Sequence, residues 1–140
     1  MERRNFIKSS CSFCIAVGAG IIFNSVSSCT PLPIYKTIVS ENKISVPQSL
    51  FANSNLQIVS AKEAEYDIAL RKEPDGTFTA LQMRCTHADN PLTSTGNGFT
   101  CTLHGSNFNN AGEVTKGPAA MSLNKYSTEK IGDSIVIRMN

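Results

Sequence analysis

The two histidines of this 140-residue chain both stand beside cysteines, in the windows Cys85-Thr86-His87 and Cys101-Thr102-Leu103-His104. Thiolates and imidazoles are soft to borderline donors. Four of them in one place suit zinc or an iron-sulfur cluster, not a hard cation such as magnesium or calcium. A structural zinc site commonly opens with two closely spaced cysteines and closes with two closely spaced histidines. C-x-H followed by C-x-x-H departs from that order. A plainer reading is a disulfide between Cys85 and Cys101 in an oxidising compartment, with both histidines merely on the surface. It accounts for the cysteines and leaves the position of each histidine without a reason.

The two windows and their neighbours resemble the Rieske family, most strongly over residues 84–108 and more weakly out to Leu123. Cys101-Thr-Leu-His-Gly-Ser is similar to that family's second loop, and Gly117-Pro118-Ala119 to the proline loop that covers its cluster. Gly112-Glu113 and Gly132-Asp133 are lesser landmarks. The resemblance implies a 2Fe-2S cluster with Cys85 and Cys101 on one iron and His87 and His104 on the other. It implies further that Ser106 donates to a cluster sulfide and that Gly117 and Pro118 lie over the cluster. Such a centre passes single electrons. Its ligand set explains why it accepts them readily: two ferric ions, two sulfides and two thiolates balance to zero charge, whereas four thiolates start from a net negative centre. Each histidine also keeps one nitrogen for a proton, so electron transfer can be coupled to proton uptake.

Three positions depart from the family pattern. Asn90 and Leu103 stand where the quinol-oxidising members carry the cysteines of a loop-to-loop disulfide, so that bond cannot form. Phe108 replaces a tyrosine that donates to a cysteine sulfur, which lowers the expected potential, because donors to sulfur stabilise the added electron. The 13 residues of 88–100 between the windows form a shorter connection than is usual. The plainer alternatives are that Ser106 and Gly117-Pro118 are ordinary turn residues, while Phe108 is as easily core as cluster cover.

The elements that must carry these windows read as β. Leu56 to Val59 is strand-like, and Tyr66, Ile68 and Leu70 alternate with polar or small residues, as in a half-buried strand. Glu73-Pro74-Asp75-Gly76 is a turn, since proline presets the first corner and glycine tolerates positive φ. Residues 77–84 return as a second strand that delivers Cys85, Phe99 and Thr100 run into Cys101, and Ile135, Ile137 and Met139 close the chain after the Gly132-Asp133 turn. The expected fold is all-β: a Rieske-like antiparallel β-sandwich or small barrel with a cluster-binding subdomain of two loops, occupying residues 49–140. Residues 29–48, with Pro31, Pro33 and Pro47, read as a linker containing a short strand at 43–46.

Residues 1–28 read as an export signal. Arg3-Arg4-Asn5-Phe6-Ile7-Lys8 resembles a twin-arginine motif, which addresses folded cargo and so suits a cluster inserted before export. The apolar run from Phe13 to Phe23 is too short for a membrane span, which takes roughly 20 residues. Val26-Ser27-Ser28-Cys29 resembles a lipobox, so the expected mature protein is held to a membrane through lipid on Cys29, on the periplasmic or cell-surface face. Cys11 and Cys14 lie in or beside the apolar run and read as filler. The net charge of +2 belongs to the signal, and the remainder balances, so no basic field attracts nucleic acid. The partners expected are redox proteins of a membrane-associated or periplasmic oxidoreductase. The alternative is a non-redox exported binding lipoprotein whose loops are disulfide-linked or zinc-bound.

Overall fold

A computed structural model describes residues 32–139; the export segment, Cys11, Cys14 and Cys29 lie outside them. Among the described residues no helix is long and apolar enough to cross a membrane. The elements are β1 (Ile34–Thr37), β2 (Lys43–Pro47), a 3-10 turn (Gln48–Phe51), β3 (Leu56–Ala61), β4 (Ile68–Lys72), β5 (Phe78–Gln82), β6 (Thr93–Ser94), β7 (Gly98–Thr100), β8 (Asn107–Asn109), β9 (Val114–Lys116), β10 (Lys125–Ile131) and β11 (Ser134–Arg138).

Seven strands form one sheet in the order β1-β3-β4-β5-β10-β11-β2, antiparallel except for the parallel pair β1 and β3. Its two edges are joined by residues 38–42 alone. Laid flat, seven strands would put those edges roughly 29 Å apart, beyond the roughly 20 Å that so short a connection spans. The sheet therefore curls into a nearly closed barrel. Glu41 and Asn42 (φ 51° and 58°) make the tight turn, with Ser40 and Lys43 exchanging backbone hydrogen bonds of 2.9 Å. Positive φ at both central residues matches the right-handed twist of the flanking chain.

The segment read as a linker thus supplies two strands, and the sheet begins at Ile34. The expected strand at 43–46 is present, and Ile44 and Val46 are fully buried. Pro33 precedes β1 and Pro47 ends β2, so neither interrupts a strand.

The barrel is filled by aliphatic side chains pointing inward from alternate positions, among them Ile44, Val59, Ile68, Leu70, Ile135 and Ile137. Each contributes roughly 1.5–3 kcal/mol on burial. Phe51 and Phe78 meet edge to face at 5.1 Å, closing one end. The alternation expected around Ile68 and Leu70 differs in one respect: Ala69 is buried too. Strands β3 to β5 are covered on both faces, because their outward residues Ile58, Ala69 and Leu81 pack under a second layer. That layer is the four-stranded sheet β6-β7-β8-β9 with its loops. Gly98 lets β7 approach β8, since a Cβ there would overlap the Phe108 carbonyl oxygen.

Candidate metal centre

Both cysteine windows are turns built to one plan. In the first, the Cys85 N–H donates to the Asn90 carbonyl at 2.8 Å and the Asp89 N–H donates to the Cys85 carbonyl at 3.0 Å. In the second, the Cys101 N–H donates to the Ser106 carbonyl at 2.8 Å and the Gly105 N–H to the Cys101 carbonyl at 2.9 Å. Each turn needs positive φ four residues after its cysteine, at Asp89 (52°) and Gly105 (79°). Aspartate and glycine are among the residues that adopt it most readily.

β5 leads through Met83 into the first turn, and β7 leads into the second, with β8 following it. The Arg84 guanidinium donates to Asp89 Oδ1, with Nε at 2.8 Å, and lies 5.8 Å from the Tyr66 ring centre. The Tyr66 hydroxyl donates to the Asp89 carbonyl at 2.7 Å, fastening the first turn to the barrel. A third loop, 117–122, rests on both turns. Thr86 Oγ1 donates to the Met121 carbonyl at 2.6 Å, and the Ala119 N–H donates to Ser106 Oγ at 3.0 Å.

The four donor side chains converge and divide by polarity. Cys85 and Cys101 are buried at 1% exposure each, at the top of the outer apolar layer, and are not joined to one another. His87 and His104 are exposed at the tip, with ring centroids 5.0 Å apart and planes at 86°. Among the described residues no three His, Cys, Asp or Glu side chains gather as a single ion requires. A pair of sulfurs beneath a pair of imidazoles suits a centre that takes two ligands of each kind on two metals. Burial pushes the Cys101 thiol up. Hydrogen bonds from the His104 and Leu103 backbone N–H groups, the Cys85 thiol and the Asn90 amide outweigh that cost and bring it below the ordinary thiol range. At Cys101 the surroundings therefore favour thiolate, the form that binds metal.

Ser106 is fully buried, and its oxygen accepts from Ala119, which leaves its own proton for an acceptor in the pocket. Phe108 is buried in the same outer apolar layer as Cys101 and offers no hydroxyl. Gly117 and Pro118 are exposed on the third loop, while Ala119 is its buried anchor. Leu103 is 56% exposed at the tip. Asn90 is not a passive replacement: its Nδ2 lies 3.7 Å from Cys101 Sγ. Sequence reasoning missed this donor, as it missed Tyr66 and Thr86. One clue was available for Asn90, a polar residue five places after each cysteine.

Residues 46–127, more than half the chain, match the family described as the Rieske [2Fe-2S] domain, and the chain belongs to that family. A curated relative, the cytochrome b6-f complex iron-sulfur subunit of Chlorobaculum thiosulfatiphilum, is 27% identical over 143 residues, covering 97% of this chain and 75% of the relative. The mitochondrial Rieske subunit of the cytochrome b-c1 complex of Gallus gallus is 27% identical over 99 residues. That match covers 63% of this chain and spans only 36% of the chicken protein's length. Among solved structures, the cyanobacterial plasma membrane Rieske protein of Synechocystis superposes with a TM-score of 0.56 at 24% identity, covering 68% of this chain and 98% of that one. Naphthalene 1,2-dioxygenase superposes with a TM-score of 0.58 at 21% identity, covering 74% of this chain and 27% of that one. The cofactor is a Rieske-type 2Fe-2S cluster, and the chain is a Rieske-type electron carrier.

Proposed function

We propose that Cys85 and Cys101 hold one iron, that His87 and His104 hold the other, and that Ser106 and the Gly117-Pro118 loop complete the cluster's surroundings. The observation that carries this assignment is the pairing of two buried, unlinked sulfurs with two adjacent exposed imidazoles on matched turns. When bound, the cluster supplies reversible one-electron transfer at a potential raised by its neutral oxidised charge. The residues of this chain do the rest. The apolar layer under Cys85 and Cys101 excludes water from the sulfur side, and the backbone N–H groups of the second turn stabilise negative charge there. The exposed imidazoles form the face through which a partner exchanges electrons and protons.

The protein serves, in this reading, a membrane-associated or periplasmic oxidoreductase, of cytochrome bc type or a molybdenum enzyme. The b6-f and b-c1 subunits among its relatives favour the former. The lack of the loop cysteines at 90 and 103, which the quinol-oxidising members carry, weighs instead toward the molybdenum enzyme. The twin-arginine-like start and Cys29 support export and a lipid anchor on the periplasmic or cell-surface face.

Anaerobically purified protein is expected to be coloured, to carry iron and acid-labile sulfide in equal amounts, and to give on reduction a paramagnetic resonance signal of low average g. Colourless protein holding zinc, or one matured normally with Cys85 and Cys101 disulfide-linked, would overturn the assignment in favour of a binding lipoprotein. Cys29→Ala is expected to release the domain from membranes; unchanged attachment would rule out a lipid anchor at that residue.

A further inference from the structure

We infer that the side-chain amide of Asn90 is a potential-setting donor to the Cys101 ligand sulfur and a cross-link between the two cluster turns. The inference rests on the ligand assignment above and adds to it a residue outside the four ligands and the proline loop.

The two turns share a hydrogen-bond plan in which the fifth residue after the cysteine accepts from the cysteine's own N–H. Ser106 holds that place in the second turn and Asn90 in the first. From these equivalent backbone positions both side chains make contacts outside their own turns. Ser106 meets the Ala119 N–H of the third loop with its hydroxyl, and Asn90 directs Nδ2 to within 3.7 Å of Cys101 Sγ. An amide nitrogen carries two hydrogens. One is used at the Pro91 carbonyl, 3.2 Å away, and the second points toward the sulfur. The reverse orientation would set the amide oxygen against an electron-rich sulfur, so the network fixes which atom faces it.

The position is held firmly enough for the bond to matter. The Asn90 carbonyl is tied to Cys85, Pro91 restricts the backbone that follows, and Asp89 is clamped by Arg84 and Tyr66. Reduction adds negative charge that is shared by the ligand sulfurs, so a donor to Cys101 stabilises the reduced state more than the oxidised one. The bond therefore raises the potential. It also connects the two turns, starting from the residue that stands at one of the two disulfide positions and ending at Cys101 rather than at Leu103. Asn90 thus supplies, by one hydrogen bond, part of both features the chain lacks: the cross-link lost at 90 and 103 and the sulfur donor lost at Phe108.

The test compares the full-length wild type with Asn90→Leu, close in shape but without a donor, and Asn90→Ser, too short to reach the sulfur. For each, iron content, the reduced-state resonance spectrum and the midpoint potential are measured. A cluster-bearing variant is expected to have a potential lower by about tenfold in the one-electron equilibrium constant, which is about 59 mV, with shifted g values. An unchanged potential in a variant that keeps its cluster overturns the inference. Loss of the cluster from both variants while the wild type retains it also overturns it, since Asn90 would then be purely structural. A wild type without the resonance signal instead sinks the ligand assignment.

Discussion

The inner and outer faces of strands β3 to β5 support two different kinds of structure. On the inner face Val59, Ile68, Leu70 and Ala80 belong to a continuous aliphatic core with β2 and β11, closed on itself and held by burial and a regular ladder. On the outer face Ile58, Ala69 and Leu81 support short strands of two or three residues and three loops. There the apolar layer ends in two sulfurs, and its order comes from individual hydrogen bonds: Tyr66 to Asp89, Thr86 to Met121, Ala119 to Ser106. The barrel is thereby expected to stand without a cofactor, and the tip to depend on what its sulfurs bind. An electron carrier gains from this division, because a rigid base holds the ligands in register while the histidines stay open to a partner.

The sharpest way to break the comparison is Cys101→Ser. It is expected to abolish cluster incorporation, seen as loss of iron and of the resonance signal, while slow amide exchange persists in β2, β4 and β11. Collapse of the whole barrel would show that the two regions are one cooperative unit. Leu70→Ala tests the opposite side. Removing a fully buried inner side chain should cost about 2–5 kcal/mol in denaturant unfolding, with the potential of the folded protein unchanged. A shifted potential would mean that the inner core positions the site.

Smaller effects sharpen the account of the outer face. Ser106→Ala removes both a donor into the pocket and the acceptor for the Ala119 N–H. It should lower the potential by about tenfold in equilibrium constant, about 59 mV, and destabilise the fold by roughly 1–3 kcal/mol through the orphaned N–H. An unchanged potential would leave Ser106 as a turn residue. Phe108→Tyr should raise the potential by a smaller amount if its hydroxyl meets Cys101 sulfur. No rise, together with lost stability, would place the ring as core alone, with a buried hydroxyl left unpaired.

How much of this was legible in the chain depends on the range of each signal. The turn at 73–76 forms as read, with Gly76 at φ 85° and its N–H donating to the Glu73 carbonyl at 3.0 Å, because proline, aspartate and glycine act through their own backbones. The closing hairpin at Gly132-Asp133 has the same local origin. The strand at 43–46 was legible, but the three prolines of residues 29–48 signal a linker locally, and nothing local shows that β1 pairs with β3 or that β2 pairs with β11 about ninety positions later. Burial on both faces of β4 was hidden for a related reason. Ala69 is neutral in a hydrophobic pattern, and only the arrival of the second layer buries it.

The sequence by itself determined the donor set, the order and spacing of the cysteines and histidines, and hence the ligand chemistry available, since these follow from residue type and covalent distance. Tertiary structure alone decided that the sulfurs are buried and the imidazoles exposed. It also decided that the sheet edges meet and that Asn90 reaches a sulfur on the other turn. Those facts depend on curvature and packing between residues far apart in the chain, where the apolar surface buried by many strands together outweighs what any short stretch prefers.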